Sequence, residues 1–260
     1  MRHICRWIVT FLTVALFTAC LPSESPTSIP TETREPATHT PTPTEIWFPS
    51  TPTFTVFPTD TSAPVLTPTV TVEPQYGALL FEDDFSDPNM WTLGRSPAGS
   101  TALGKNELTI AIQEPRGYRY SQRQAAELTD FYAEITASPS ICRSEDEYGL
   151  LIRLSPSFDF YRFSLTCNGQ TRVDKYYKGT ASSPQPLIYS SEVPPGAPST
   201  SRLAVWVSGK VLHFYINQVY QFSIRDPSIS AGTIGVFARA SGDDPVTVNY
   251  SDLKVYQVTK

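Results

Sequence analysis

The stretch RLAVWVSGKVLHFYINQVYQFSI, residues 202–224, alternates apolar and polar side chains in three short runs, broken at Gly209 and after Asn217. Period-two patterning on both sides of a tight turn is the signature of antiparallel strands half buried against a core. The same signature extends outward in ELTIAIQ, DFYAEITAS, EYGLLIRLS, FYRFSLT, TRVDKYY, GTIGVFARAS and VTVNYSDLKVYQV, and no amphipathic helix stands out from Gly77 onward. About a dozen short strands, with turns every 8 to 12 residues or so, predict an all-β chain folded as an antiparallel β-sandwich or jelly roll.

One hairpin can be read to the residue. In FSLTCNGQTRVDKYYKG, residues 163–179, an Asn-Gly pair separates two alternating runs, which is a strong short-range hairpin signal. A two-residue turn at Asn168 and Gly169 would set Phe163 opposite Asp174 and Arg162 opposite Lys175, mixing charge into the apolar face and placing like charges side by side. A three-residue loop, 167–169, closed by Gly169 in a left-handed bulge, avoids both faults. It pairs Leu165 with Thr171, Phe163 with Val173 and Tyr161 with Lys175 on one face. On the other it pairs Ser164 with Arg172, Arg162 with Asp174 and Phe160 with Tyr176. With Tyr148, Leu150, Ile152 and Leu154 also facing the core, Arg153, Arg162, Asp174 and Tyr176 are expected on the opposite face.

The loop also contains Cys167. The strand beginning at Glu147 returns through SPSFD, so its start lies at the same end of the sheet as Cys167, and Cys142 precedes that start by only a few residues. A Cys142–Cys167 disulfide is therefore expected, as in other exported chains.

Export is indicated by the N-terminus, MRHICRWIVTFLTVALFTAC. Arg2 and Arg6 precede an apolar run too short to span a bilayer, which is the pattern of a secretory signal. Its end, LFTAC, resembles the lipobox of bacterial lipoproteins, although Phe17 stands where those signals usually carry Leu and ordinary secretion is the alternative. The resemblance implies a signal peptide over residues 1–19 and lipidation of Cys20, which would fix the chain to a membrane surface, either at the cell exterior or at a periplasmic face. Residues 20–76 follow with PATHTPTPTE and PVLTPTVTVEP. A Thr/Pro-rich segment of this kind buries too little apolar surface to offset its ordering entropy and reads as a disordered, extended stalk. Its patch IWFPSTPTFTVF, residues 46–57, is either a docking segment or a tolerated apolar cluster. The domain proper is expected over residues 77–260, as a monomer. A net charge of −5 without a basic face argues against nucleic acid as a partner.

Within that domain, residues 202–224 resemble the motif of concanavalin A-like and laminin-G-like domains, in which two strands meet at a Gly turn and the second ends in Tyr-Ile/Val-Asn/Asp. The opening LLFEDDFSDPNMWTLG and the close GTIGVFARASGDDPVTVNYSDLKVYQV resemble the first and last strands of bacterial members, including the group named for 3-keto-disaccharide hydrolases. The resemblance covers nearly the whole domain and specifies a fold shared by lectins, hydrolases and spacers.

It also implies where to look for function. In such folds glycans usually lie on an exposed sheet face, so Arg153, Arg162, Asp174 and Tyr176 are candidate ligand-binding residues, a ring offering an apolar surface beside charged hydrogen-bonders. An ordinary solvated face is the competing expectation. Family 16 hydrolases of this fold carry their carboxylates on one strand as Glu-x-Asp-x-x-Glu, and no such strand is present. Glu145, Asp146 and Glu147 in RSEDEYG read as a solvated charge run, and His213, the one histidine of the domain, as a strand-surface residue. Asp83, Asp84 and Asp252 stand where relatives often hold a structural calcium ion, the only cofactor expected; turn carboxylates bonded to backbone amides are the alternative. The expected function is non-catalytic binding of a glycan or cell-wall polysaccharide, against a sugar hydrolase or lyase on one side and a structural envelope domain on the other.

Overall fold

The computed structural model describes residues 72–259. The expected signal peptide, the lipidated Cys20 and the stalk up to residue 71 lie outside the described residues. After Val72, Glu73, Pro74 and Gln75, the chain forms fifteen strands: β1 (Tyr76–Asp83), β2 (Gly94–Ser96), β3 (Gly99–Leu103), β4 (Leu108–Ile112), β5 (Tyr118–Gln122), β6 (Phe131–Ile141), β7 (Glu147–Leu154), β8 (Phe160–Thr166), β9 (Gln170–Tyr177), β10 (Thr180–Tyr189), β11 (Ser201–Ser208), β12 (Val211–Ile216), β13 (Val219–Arg225), β14 (Thr233–Arg239) and β15 (Val246–Val258). The only helical element among the described residues is one 3-10 turn, Pro88–Met90.

The strands form two antiparallel sheets packed face to face. The larger runs β13-β12-β11-β6-β15-β4-β3-β2, with β1 also paired to β15, and the smaller runs β10-β9-β8-β7-β14-β5. The sequence alternation explains the layering. Leu203, Val205 and Val207 of β11, Leu212, Phe214 and Ile216 of β12, and Phe163 and Leu165 of β8 are all buried in one core between the sheets. Phe163 meets Phe214 across the gap, with ring centroids 4.9 Å apart. At 13 residues β15 is long enough to bond β4 with its first half and β1 with its second, while β6 follows it on the other side. β10 escaped the sequence pattern because Pro184 and Pro186 interrupt it. It is an edge strand, where the missing donors cost no ladder bond, and its register slips twice between Ser182 and Ile188.

The β8–β9 hairpin has the three-residue loop. Its Cα partners are Phe160 with Tyr176, Tyr161 with Lys175, Arg162 with Asp174, Phe163 with Val173, Ser164 with Arg172 and Leu165 with Thr171, and Gly169 has φ 87°. Thr166 Oγ1 accepts from the Gln170 amide at 2.9 Å and helps close the loop. Cys142 and Cys167 form the disulfide with their Cα atoms 5.9 Å apart.

Arg153 is corrected. The alternation of β7 breaks at this residue, which has φ 53°, and the pairing with β14 shifts register between Thr233 and Ile234, opposite Leu154 and Ile152. The extra residue reverses the side chains on either side of the bulge. Arg153 therefore turns inward and is 1% exposed, while Leu154 joins the outer face beside Leu151, Phe160 and Phe237. The buried guanidinium donates from Nη1 to the carbonyls of Gly209 (2.9 Å) and Ile229 (2.8 Å) and from Nη2 to that of Thr129. It ties β7 to the loops before β6, between β11 and β12, and before β14, and takes no part in the ligand face.

Candidate functional site

The outer face of the smaller sheet gathers the other predicted site residues, and several the sequence did not single out. Arg162 and Asp174 are adjacent in the β8–β9 ladder, and Arg162 Nη2 donates to Asp174 Oδ2 at 2.6 Å. Both side chains are only 7% exposed, so this is a buried ion pair. Ser183 of β10 donates to the second oxygen of Asp174. Phe160 stacks on Tyr176 at 4.7 Å, and the guanidinium of Arg162 lies 5.2 Å from the Tyr176 ring centroid and 5.4 Å from that of Phe237.

Glu147 anchors the network. It opens β7 and is 3% exposed, so the solvated charge run expected around it is corrected: only Glu145 is exposed. Asp146 turns into the protein and accepts from the Arg143 amide and from the amide and hydroxyl of Ser241. Glu147 accepts from Arg172 Nη2 at 2.9 and 3.2 Å and from Arg239 Nη1 at 2.7 Å, with Arg162 Nη2 at 3.6 Å. Burial opposes the charge on Arg162, but Glu147 and Asp174 outweigh it and hold the guanidinium charged more firmly than usual. The sign alternation Glu147, Arg172, Asp174, Arg162 leaves each carboxylate neutralised by arginines on either side.

Aromatic rings surround this network. Tyr118 and Tyr120 of β5 face outward, Tyr118 lying 5.8 Å from Phe237 and Tyr120 lying 5.3 Å from Phe158. Tyr118 and Phe158 are exposed. Arg119, which alternates with them, points to the other side and donates to Ser96. Arg123 is bound to Asp83 at 2.7 Å. Between the rings the register row Tyr120, Phe237, Gly149, Ser164, Arg172 has its smallest side chains at the centre. A Cβ on Gly149 would lie 2.0 Å from the Phe163 carbonyl oxygen, so only glycine fits there. The row is thus a trough in side-chain size alone, its Gly149, Ser164 and Phe237 covered, with buried charge beside it and the rings of Tyr118, Tyr120, Phe158 and Tyr176 around it. No sequence signal marks Phe158, which reaches this face from the β7–β8 loop, whereas Arg239 ends the alternating run of β14, two residues after Phe237 and so in phase with the same face.

The other candidates are placed as follows. Asp83, Asp84 and Asp252 meet at one end of the β1–β15 pair, around a hollow of 290 Å³. Asp83 is engaged by Arg123 and by the Phe85 amide, Asp84 by the amide and hydroxyl of Ser86, and Asp252 by the Ser251 hydroxyl. Among the described residues no three His, Cys, Asp or Glu side chains converge closely enough to hold a metal ion. His213 is on the outer face of the larger sheet, 5.0 Å from the Trp206 ring, and burial lowers its pKa.

No protein-family model and no curated protein matches the chain in sequence. Solved structures are similar in shape. A carbohydrate binding module, CBM66, from Bacillus subtilis superposes with a TM-score of 0.51 at 16% identity, covering 65% of this chain and 96% of that one. The catalytic domain of an endo-1,3-beta-glucanase (laminarinase) from Thermotoga petrophila gives 0.52 at 11% identity, covering 73% and 100%. A Bacillus subtilis protein of unknown function with a galectin-like fold gives 0.54 at 14% identity, covering 72% and 99%. With the two sheets and their register, this likeness shows that residues 76–258 have the jelly-roll β-sandwich fold.

Proposed function

We propose that the outer face of the smaller sheet binds a glycan without cleaving it, and that the chain presents this face from a membrane-anchored stalk that begins at a lipidated Cys20. The observation that carries the proposal is the trough itself, with the rings of Tyr118, Tyr120, Phe158 and Tyr176 around a fixed set of guanidiniums. A sugar ring has apolar C–H faces and a polar rim, and needs flat rings beside aimed hydrogen-bonders. Arg162 and Asp174, nearly covered, position the site. The contact layer is the rings together with Arg172 and Arg239, whose side chains are 20% and 40% exposed.

A glycosidase requires one carboxyl to deliver a proton and another to act as base or nucleophile. Glu147 and Asp174 both lie within 4 Å of Arg162 Nη2, and their remaining contacts are donors, chiefly arginine. Those donors occupy two carboxyls that are only 4% and 7% exposed, so neither is placed to reach a glycosidic bond, which favours binding over hydrolysis. The presence of a binding module and a glucanase among the structural neighbours supports a sugar ligand in either case.

A glycan array probed with the full chain and with Tyr120→Ala/Tyr176→Ala tests the proposal. At least one glycan class is expected to bind, to lose its signal in the double variant, and to remain uncut after prolonged incubation. Absence of any bound glycan, equal binding by the variant, or release of reducing ends would overturn it. For the anchor, a Cys20→Ala chain should leave the membrane fraction; continued sedimentation with membranes would refute lipidation.

A further inference from the structure

The larger sheet has a polar and aromatic hollow on its own outer face, across the sandwich from the trough. Its shape follows from register. Ala204 on β11 pairs with Tyr215 on β12 and with Glu134 on β6, so a single methyl group separates a phenol from a carboxylate. The incoming chain supplies the opposite wall. Trp206 Nε1 donates to the Gln75 carbonyl at 2.8 Å, and the Tyr76 ring stacks on Tyr132 at 4.3 Å with the planes 3° apart. The cavity so formed has a volume of about 430 Å³, which is larger than one sugar ring and within the range of small-ligand sites.

Three polar groups in it lack adequate partners. Tyr215 is 1% exposed, yet its hydroxyl has no hydrogen bond among the described residues. Burial raises its pKa to about 12, with Tyr220 adding to the effect, so the group remains a neutral donor. Glu134 accepts from Tyr132 at 3.2 Å through one oxygen, and its other oxygen stands 3.8 Å from Arg202 Nη2, too far for a hydrogen bond. A buried unpaired hydroxyl costs stability, and a separated carboxylate and guanidinium have room for a group that donates to one and accepts from the other. A sugar hydroxyl does both. The stacked Tyr76–Tyr132 pair adds a flat apolar wall for C–H groups.

We propose that this hollow is a second, independent saccharide-binding site, which takes one or two neutral hexose units and is completed by the residues that join the stalk to the domain. Sugar hydroxyls satisfy Tyr215 and bridge Glu134 to Arg202. Ligand bound here contacts Glu73, Pro74 and Tyr76, whereas ligand in the trough does not.

The test is a titration of the isotope-labelled full chain with glucose, galactose, mannose, fructose and N-acetylglucosamine and their soluble oligomers of up to six units, followed by two-dimensional NMR. At least one sugar is expected to shift the Trp206 indole and the Tyr215 and Gln218 amides saturably. Glu134→Gln and Tyr215→Phe should each raise Kd about tenfold, the size of one lost net hydrogen bond. Tyr215→Phe should also leave thermal stability equal or higher, since it deletes an unpartnered hydroxyl. Loss of stability in Tyr215→Phe, unchanged Kd in both variants, or no saturable shift at these residues would overturn the proposal. Shifts confined to Tyr176 and Arg172 would overturn it while leaving the trough intact as the glycan site.

Discussion

The hydroxyl of Tyr250, on β15 of the larger sheet, reaches across the sandwich and accepts from the Gly149 amide of the smaller sheet at 3.1 Å while donating to the Phe237 carbonyl. Gly149 and Phe237 are opposite each other in the β7–β14 ladder, so one core tyrosine sets the strand spacing beneath the trough. Tyr250 is fully buried, and burial pushes its pKa well above the ordinary phenol value. Tyr250→Phe would leave a buried donor and a buried acceptor unpaired. Urea denaturation should show a loss of about 1 to 3 kcal/mol. A variant of unchanged stability would mean that the hydroxyl does not bridge the sheets.

The disulfide makes a separate contribution. Cys142 and Cys167 are 25 residues apart, and closing a loop of that length stabilises by about 3 kcal/mol in the chain-entropy model. Cys142→Ala/Cys167→Ala should fold but unfold at lower denaturant, by a margin of that order. The midpoint of the double variant should not respond to reductant, whereas that of the parent should.

What the sequence disclosed depended on how local the deciding physics was. The β8–β9 register was legible because Arg162, Asp174 and Lys175 lie within one hairpin, where charge pairing alone rejects the two-residue turn. Arg153 was not legible, because nothing near it marks the bulge. The cause lies across the ladder, where Gly232 comes so close to Arg153 that a Cβ would stand 2.4 Å from its carbonyl carbon. Glu147 was misread for the same reason: in the sequence it ends an acidic run, and the partners that bury it, Arg172 and Arg239, are 25 and 92 residues away. Half of the trough was thus visible as a strand face, and the ion network beside it only as unrelated charges.

Acid should weaken the fold through Asp226. Burial alone would raise its pKa, but hydrogen bonds from Lys175 (2.6 Å), Ser228 and Tyr161 outweigh that and bring it to about 2 from an ordinary 3.8. A carboxyl with a depressed folded-state pKa contributes its stability fully above the unfolded pKa and loses it as pH falls through the folded value. The contribution, on the order of 2 kcal/mol, should be intact above about pH 4 and disappear towards pH 2. Asp226→Asn should be less stable than the parent at neutral pH and show a flatter dependence between those limits. Parallel profiles for the two proteins would show that the Lys175 pair is not responsible.

The network around Glu147 gives a prediction that separates a charge role from a packing role. Glu147→Gln keeps the shape but removes the anion, leaving Arg162, Arg172 and Arg239 facing one another with Asp174 alone to balance them. Breaking a buried pair by neutralising one member costs about 3 to 5 kcal/mol, because the remaining charge is stranded. The partial exposure of Arg239 should place this case at the lower end. If stranded charge is the cause, removing a positive charge should recover part of the loss, so Glu147→Gln/Arg239→Gln should be more stable than Glu147→Gln alone. A double-mutant cycle in urea measures the difference directly. Additive losses would mean that Glu147 acts through packing and that the arginines above it are not held by its charge. In that case the variants should also leave glycan binding at the trough unchanged, whereas a charge network that aims Arg172 and Arg239 predicts weakened binding in Glu147→Gln.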